Sequence, residues 1–183
     1  IGGSNTASGY RALRYNTTGS WNTASGTDTL YSNTTGDQNT AMGKSALQSN
    51  LGGIRNTVIG TDAARTNTNG NDNTALGYRA LFTNTSGSLN TALGFNALYE
   101  NATGSFNAAF GISALRSNTT GDNNTAIGNG ADVGSGDLTN ATAIGNGAIV
   151  TASNKIRLGN ADITAIEGQV AFSNASDRRL KKD

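Results

Sequence analysis

The sequence predicts an all-β chain wound as a parallel β-solenoid (a β-roll), and three observations carry that prediction. Asn recurs at 5, 22, 39, 56, 73, 90, 107 and 124, always seventeen positions apart. A Gly stands four positions after each of these Asn, and Gly145 extends the series with Ala141 in the Asn place. The register holds over nine units without an insertion, as expected of stacked repeats rather than of one globular core. The third observation is composition: apolar residues are 35% of the chain and Pro is absent, so backbone ladders rather than a thick core must hold the coils.

The unit reads N-T-A-x-G-x-x-A-L-x-x-N-T-T-G-[SD]-x. Its first five positions predict a short strand. The residue after Ala is apolar in most units: Met42, Ile59, Leu76, Leu93, Phe110, Ile127 and Ile144, against Ser8 and Ser25 in the first two. Strand alternation places Thr and this variable residue on one face and Asn, Ala and Gly on the other. A small Ala column suits the interior of a narrow coil, and the larger apolar column suits a second core between chains. Alternation alone does not distinguish the inner face from the outer.

The Ala-Leu pair that follows, as at Ala46-Leu47 and Ala97-Leu98, predicts a second short strand or a tight segment. The N-T-T-G-[SD] stretch predicts a turn, with Asn capping its own backbone and Gly taking positive φ. Helices are not expected, because Asn, Thr and Gly are poor helix formers. Coils stacked at strand spacing rise about 4.8 Å each, so nine give a rod of roughly 43 Å.

Each column also has a functional reading beside the structural one. Stacked Asn and Thr side chains bond up and down a solenoid, or they form a ligand ladder. Exposed Thr columns suit ice, but the second one is broken at Leu51, Asn69 and Ala102. Asp37, Asp72 and Asp122 fit turn capping better than calcium, since the Gly-rich calcium repeat is absent. Tyr10, Tyr78 and Phe95 share one column, and Trp21, Leu89 and Phe106 share another; these suit packing between chains or sugar binding.

Composition narrows the function classes. With no Cys and no His, disulfides, thiolate metal sites and the usual general base are missing, and no cofactor is expected. Charged residues are 14% with a net charge of +1, so no nucleic-acid partner is expected. No apolar run is long enough to predict membrane insertion. Gly2 aligns with Gly19, so the chain is expected to be a fragment that opens in mid-repeat.

Asn124-Thr125-Ala126-Ile127-Gly128, Ala141-Thr142-Ala143-Ile144-Gly145-Asn146-Gly147-Ala148 and Asn154-Lys155-Ile156-Arg157-Leu158-Gly159-Asn160 resemble the head repeats of YadA-like trimeric autotransporter adhesins. The resemblance implies a left-handed parallel β-roll with three chains side by side. Family repeats are typically shorter than the unit found here, so the upstream coils are expected to differ in outline.

Further on, Ile163-Thr164-Ala165-Ile166-Glu167-Gly168-Gln169-Val170 leads into Ser176-Asp177-Arg178-Arg179-Leu180-Lys181-Lys182-Asp183. This stretch resembles the entrance to the endosialidase-type intramolecular chaperone, a self-cleaving domain that ends many phage tail fibres, tailspikes and some bacterial surface proteins. The resemblance implies a dyad of Ser176 as nucleophile and Lys181 as base, with cleavage beside Ser176 and Asp177. A desolvated neutral Lys is chemically able to replace the missing His. The body of the chaperone does not follow in this sequence, so the fragment is not expected to be an enzyme.

These readings divide the chain into a repeat array at 1–160 that diverges after 128, a connector at 161–176, and the start of a chaperone domain at 177–183. They predict a parallel homotrimeric fibre segment, in a tail fibre or on a cell surface, that attaches to a host or surface receptor such as a glycan. Two alternatives stand beside this: the fibre part of a glycan-degrading tailspike, and an ice-binding solenoid.

Overall fold

The computed structural model describes residues 2–166, and these form a parallel β-solenoid of about nine turns with no helix. Strands β1 (Thr6–Ser8), β2 (Thr23–Ser25), β3 (Thr40–Met42), β4 (Thr57–Ile59), β5 (Thr74–Leu76), β6 (Thr91–Leu93), β7 (Ala108–Phe110) and β8 (Thr125–Ile127) stack in sequence order. After β9 (Asp132–Val133), β10 (Thr142–Ile144) continues the stack; after β11 (Ile149–Val150), β12 (Ile156–Leu158) closes it. All pairings are parallel, and from β1 to β8 and on to β10 they keep the seventeen-residue register, mostly Thr on Thr and Ala on Ala, as in Thr6 with Thr23 and Ala7 with Ala24. The last coil is shorter by three positions: Thr125 pairs with Thr142, but Thr142 pairs with Ile156.

The ladder runs round the whole coil and not only through the strands. Leu30 N–H donates to Ala46 O at 3.0 Å, Ser45 N–H to Thr27 O at 2.9 Å, and Thr34 N–H to Leu51 O at 3.0 Å. The core is one file of small side chains per coil: Ala24, Ala41, Ala75, Ala92, Ala109, Ala126 and Ala143, with Val58 in the same column, are all buried. A second buried file is Leu30, Leu47, Leu81, Leu98 and Leu115.

The Ala-Leu segment takes both of its expected forms. In the first seven coils it is a tight bend, and a second strand appears there only at β9 and β11. The leucines of the bend sit in the left-handed region, Leu30 at φ 49° and Leu98 at φ 51°. That conformation costs about 1–2 kcal/mol for an L-residue. Burying a Leu side chain is worth about 2 kcal/mol, so packing offsets the strain and the bend survives.

The turn glycines correct one expectation. Gly19, Gly36 and Gly53 are not among the positive-φ glycines; the glycines after each strand are, as Gly60 at φ 140°. The turn glycines are needed for space. A Cβ on Gly36 would overlap the Gly53 carbonyl and Asn33 Oδ1, and would lie 2.6 Å from Asn50 Nδ2.

Candidate functional site

The Asn columns work inside the coil. Asn39 N–H donates to Asn22 Oδ1 at 3.0 Å, and Asn39 Nδ2 reaches across the coil to Gly53 O at 2.8 Å. In the turn column, Asn50 Nδ2 donates to Asn33 Oδ1 at 2.7 Å and to Gly53 O at 3.0 Å. Both columns are fully buried at these levels, so their carboxamides face no ligand. The turn Thr hydroxyls donate lengthwise, Thr34 to Leu51 O at 2.8 Å and Thr68 to Thr85 O at 2.7 Å.

The acidic residues are also tied. Asp37 accepts the Ser20 N–H at 2.6 Å and Asp122 the Ser105 N–H at 2.7 Å. Asp72 takes a bidentate bond from Arg55 at 2.6 and 2.7 Å. Arg11 does the same to Asp28 at 2.6 and 2.8 Å, and its hydrogen bonds hold the Asp28 carboxyl below the ordinary range. Asp132 differs: burial pushes its pKa up, against hydrogen bonds from the Ser117 and Val133 N–H groups. Among the described residues no group of three or more His, Cys, Asp or Glu lies close enough to hold a metal.

The outward face of the long sheet is the feature left over. Met42, Ile59, Leu76, Leu93, Phe110, Ile127, Ile144 and Leu158 pair directly, each on the next, in successive coils. Apart from half-buried Leu93, they are 38–45% exposed. At strand spacing this is an unbroken apolar stripe of about 34 Å. The inner and outer faces, left open by alternation, are thereby assigned: Ala inward, the large apolar column outward.

Aromatic rings flank the stripe and stack lengthwise. Tyr78 and Phe95 stack at 5.3 Å between centroids. A further column holds Phe82 and Tyr99, stacked at 5.2 Å, and Arg79 lies over both Tyr78 and Phe82, at 5.0 and 5.3 Å. Sequence reasoning missed that column; its signal is a run of Arg and aromatic residues, Arg14, Tyr31, Arg65, Phe82, Tyr99 and Arg116, interrupted by Gln48. A shallow hollow at the end of the array is lined by Arg157, Leu158, Asn160 and residues 163–166; Arg157 is its single charged side chain, and Arg157 Nε donates to Gly159 O at 2.8 Å.

Ser176, Asp177 and Lys181, the dyad and cleavage residues suggested by resemblance, lie outside the described residues. No protein-family model, no curated protein and no solved structure matches this chain.

Proposed function

We propose that the chain is one member of a parallel homotrimeric fibre, the shaft or head of a tail fibre or surface adhesin, and that it attaches its bearer to a host or surface receptor. The observation that carries this reading is the apolar stripe from Met42 to Leu158, left in water by a single coil stack. Buried apolar surface is worth about 25 cal/mol per Å², and a core of one Ala and one Leu file per coil buries little alone. Three parallel copies turned stripe-inward share that surface along one axis, and the in-register pairing of the column lets every coil from Met42 on contribute alike.

Such a rod presents three copies of each repeated outer face. Weak single contacts to a repetitive receptor, a surface glycan being the best suited, then add up through avidity. The resemblance of residues 176–183 to a self-cleaving chaperone supports the same placement, on a virion or outside a cell. The roles of Ser176 and Lys181 belong to this proposal and rest on that resemblance.

Light scattering on the protein in solution tests the assembly. The expected mass is three times the chain mass of 18.6 kDa. A stable particle of 18.6 kDa overturns the fibre reading. Binding of the intact protein to a glycan panel and to cell surfaces then tests attachment, and a trimer that binds neither removes the receptor part of the proposal.

A further inference from the structure

Two outward columns border the apolar stripe. One is the residue before each strand Asn; the other is the residue after each strand Gly. Most positions in both are polar, including Gln38, Arg55 and Asp72 on the first border and Thr27, Lys44 and Thr61 on the second. The apolar exceptions are exposed: Trp21 62%, Leu89 48% and Phe106 57% on the first border, Tyr10 70%, Tyr78 40%, Phe95 48% and Ile112 53% on the second.

These exceptions correspond. One and the same interval, eleven positions, separates Tyr10 from Trp21, Tyr78 from Leu89, and Phe95 from Phe106. Ile112 follows Phe106 by six, on the same strand level. Every apolar residue of one border therefore has an apolar residue of the other within a single coil step. Contact within one chain does not account for this. Six positions along a strand span about 20 Å, and the observed stacking, Tyr78 on Phe95, runs along a border rather than across the strand.

We infer that the two borders meet between copies: the Tyr78–Phe95–Ile112 edge of one protomer interleaves with the Leu89–Phe106 edge of the next and fixes their axial register. The inference rests on the parallel-trimer reading. In a closed ring of parallel copies, one border of each copy faces the other border of its neighbour. The chain climbs about 4.8 Å per coil, so each residue of the second border falls in height between two of the first. At zero shift Phe95 lies between Leu89 and Phe106, Tyr10 lies beside Trp21, Thr61 lies between Arg55 and Asp72, and Asn129 lies between Asn123 and Asn140. Tyr78 lies between Asp72 and Leu89 and Ile112 between Phe106 and Asn123, so every apolar border residue meets at least one apolar partner, and Lys44, Thr61 and Asn129 meet polar residues alone.

The repeat itself cannot supply this register. A slip of one coil leaves the central stripe nearly as well covered, because its residues are alike at every level. The same slip moves Tyr78 between Arg55 and Asp72 in one direction, or Ile112 between Asn123 and Asn140 in the other. The borders are thus the positions where the units differ from one another to a purpose, much as register is pinned in a sheet wherever the pattern is not uniform.

The chain has no Cys, so an introduced pair reports cleanly. The double variants Phe95→Cys with Phe106→Cys, and Asn129→Cys with Asn140→Cys, are made in the full chain and mildly oxidised. The second pair replaces only polar residues, so it tests the register even if loss of the aromatic rings prevents assembly. Disulfide-linked multiples of the chain on a denaturing gel, at unchanged solution mass, are expected for both. Thr61→Cys with Phe106→Cys joins borders three coils apart and is expected to stay unlinked. An assembly that keeps its mass while the Asn129/Asn140 pair stays unlinked overturns the border inference alone, as does linking by the distant pair. A monomeric parent protein overturns this inference together with the trimer.

Discussion

The Asn33 side-chain amide donates to Asn16 Oδ1 at 2.7 Å, one coil away. Asn50 repeats the bond to Asn33 at 2.7 Å, and the file runs on to Asn118, where Asn124 takes the terminal acceptor at 3.0 Å. Each of these donors from Asn33 to Asn118 also closes its own turn on the Gly three positions later, as Asn33 on Gly36 O at 3.0 Å. A continuous polar file therefore occupies space that an ordinary core fills with apolar side chains. This reconciles 35% apolar content with a closed interior: every buried carboxamide in the file has partners, so burial carries no unpaired polar cost.

Breaking the file in its middle is expected to be expensive. Asn84 donates to Asn67 Oδ1 at 2.6 Å and accepts from Asn101 Nδ2 at 2.9 Å, with no solvent exposure. Asn84→Ala orphans the Asn67 oxygen and removes one partner of Asn101. A buried unsatisfied group costs about 1–3 kcal/mol, and the side-chain void adds to it, so a loss of about 3 kcal/mol is expected. Exposed Asn69→Ala is expected to stay within about 0.5 kcal/mol. Urea midpoints compare the two; equal shifts would mean that the ladder contributes no net stability.

Adjacent glycines are expected to respond in opposite ways. A Cβ on Gly53 would lie 2.5 Å from the Gly70 carbonyl and overlap Asn50 Oδ1, with backbone on one side that cannot move without separating coils. A Cβ on Gly52 meets only the tips of Asn69 and Thr35, at 3.3 Å. Gly53→Ala is expected to cost more than about 2 kcal/mol as overpacking, and Gly52→Ala to be neutral or to stabilise by up to about 1 kcal/mol through the unfolded chain. Thermal melts of the two single variants check the ordering.

Much of this was legible in the sequence, for physical reasons that differ from part to part. The Asn and strand-Gly columns repeat because each must meet its own copy one coil on, so period alone gave the coil and its register. A tight segment at Leu47 and its equivalents was legible, but its left-handed backbone was not: Leu carries no left-handed signal, and only the filled interior beside it makes φ 49° tolerable. The turn glycines misled, because Gly marks positive φ and lack of room with the same letter. The short last coil was hidden because Ile156-Arg157-Leu158 lacks the Thr-Ala strand signature, although it pairs with Thr142-Ala143-Ile144. The outward stripe was visible as a column, but its direction needed the closed coil.

Asp132 is expected to give the fold a pH dependence of definite sign. It is 9% exposed, and desolvation raises its pKa above the ordinary value. The native state then holds the proton more tightly than the unfolded chain. Its contribution is fully present below the ordinary carboxylate pKa of about 3.9 and is lost as pH rises through the raised folded value. Asp132→Asn keeps an acceptor for the Ser117 N–H and carries no charge to desolvate. The variant is expected to gain stability over the parent as pH rises from about 4 towards neutrality, and to show no advantage below it. Unfolding midpoints across that range decide it; parallel curves would mean that the hydrogen bonds to Asp132 balance its burial, and a variant that loses ground as pH rises would mean that they outweigh it.

The outward stripe makes the sharpest separation between fold and assembly. Leu76 and Phe110 are 44% and 39% exposed on a single chain, and their Cβ atoms point away from the Ala file. Leu76→Glu with Phe110→Glu therefore removes nothing from the coil interior, and exposed substitutions of this kind usually change stability by no more than about 0.5 kcal/mol each. Around a shared axis the same change brings like charges together and removes them from water, which is costly without partners. The double variant is expected to keep its far-ultraviolet dichroism while its mass falls from three times 18.6 kDa to 18.6 kDa. Thr35→Glu, on the exposed turn edge, is expected to keep the parent mass. Retained assembly in the stripe variant would place the interface on another face, because no shared axial core tolerates two buried glutamates per chain.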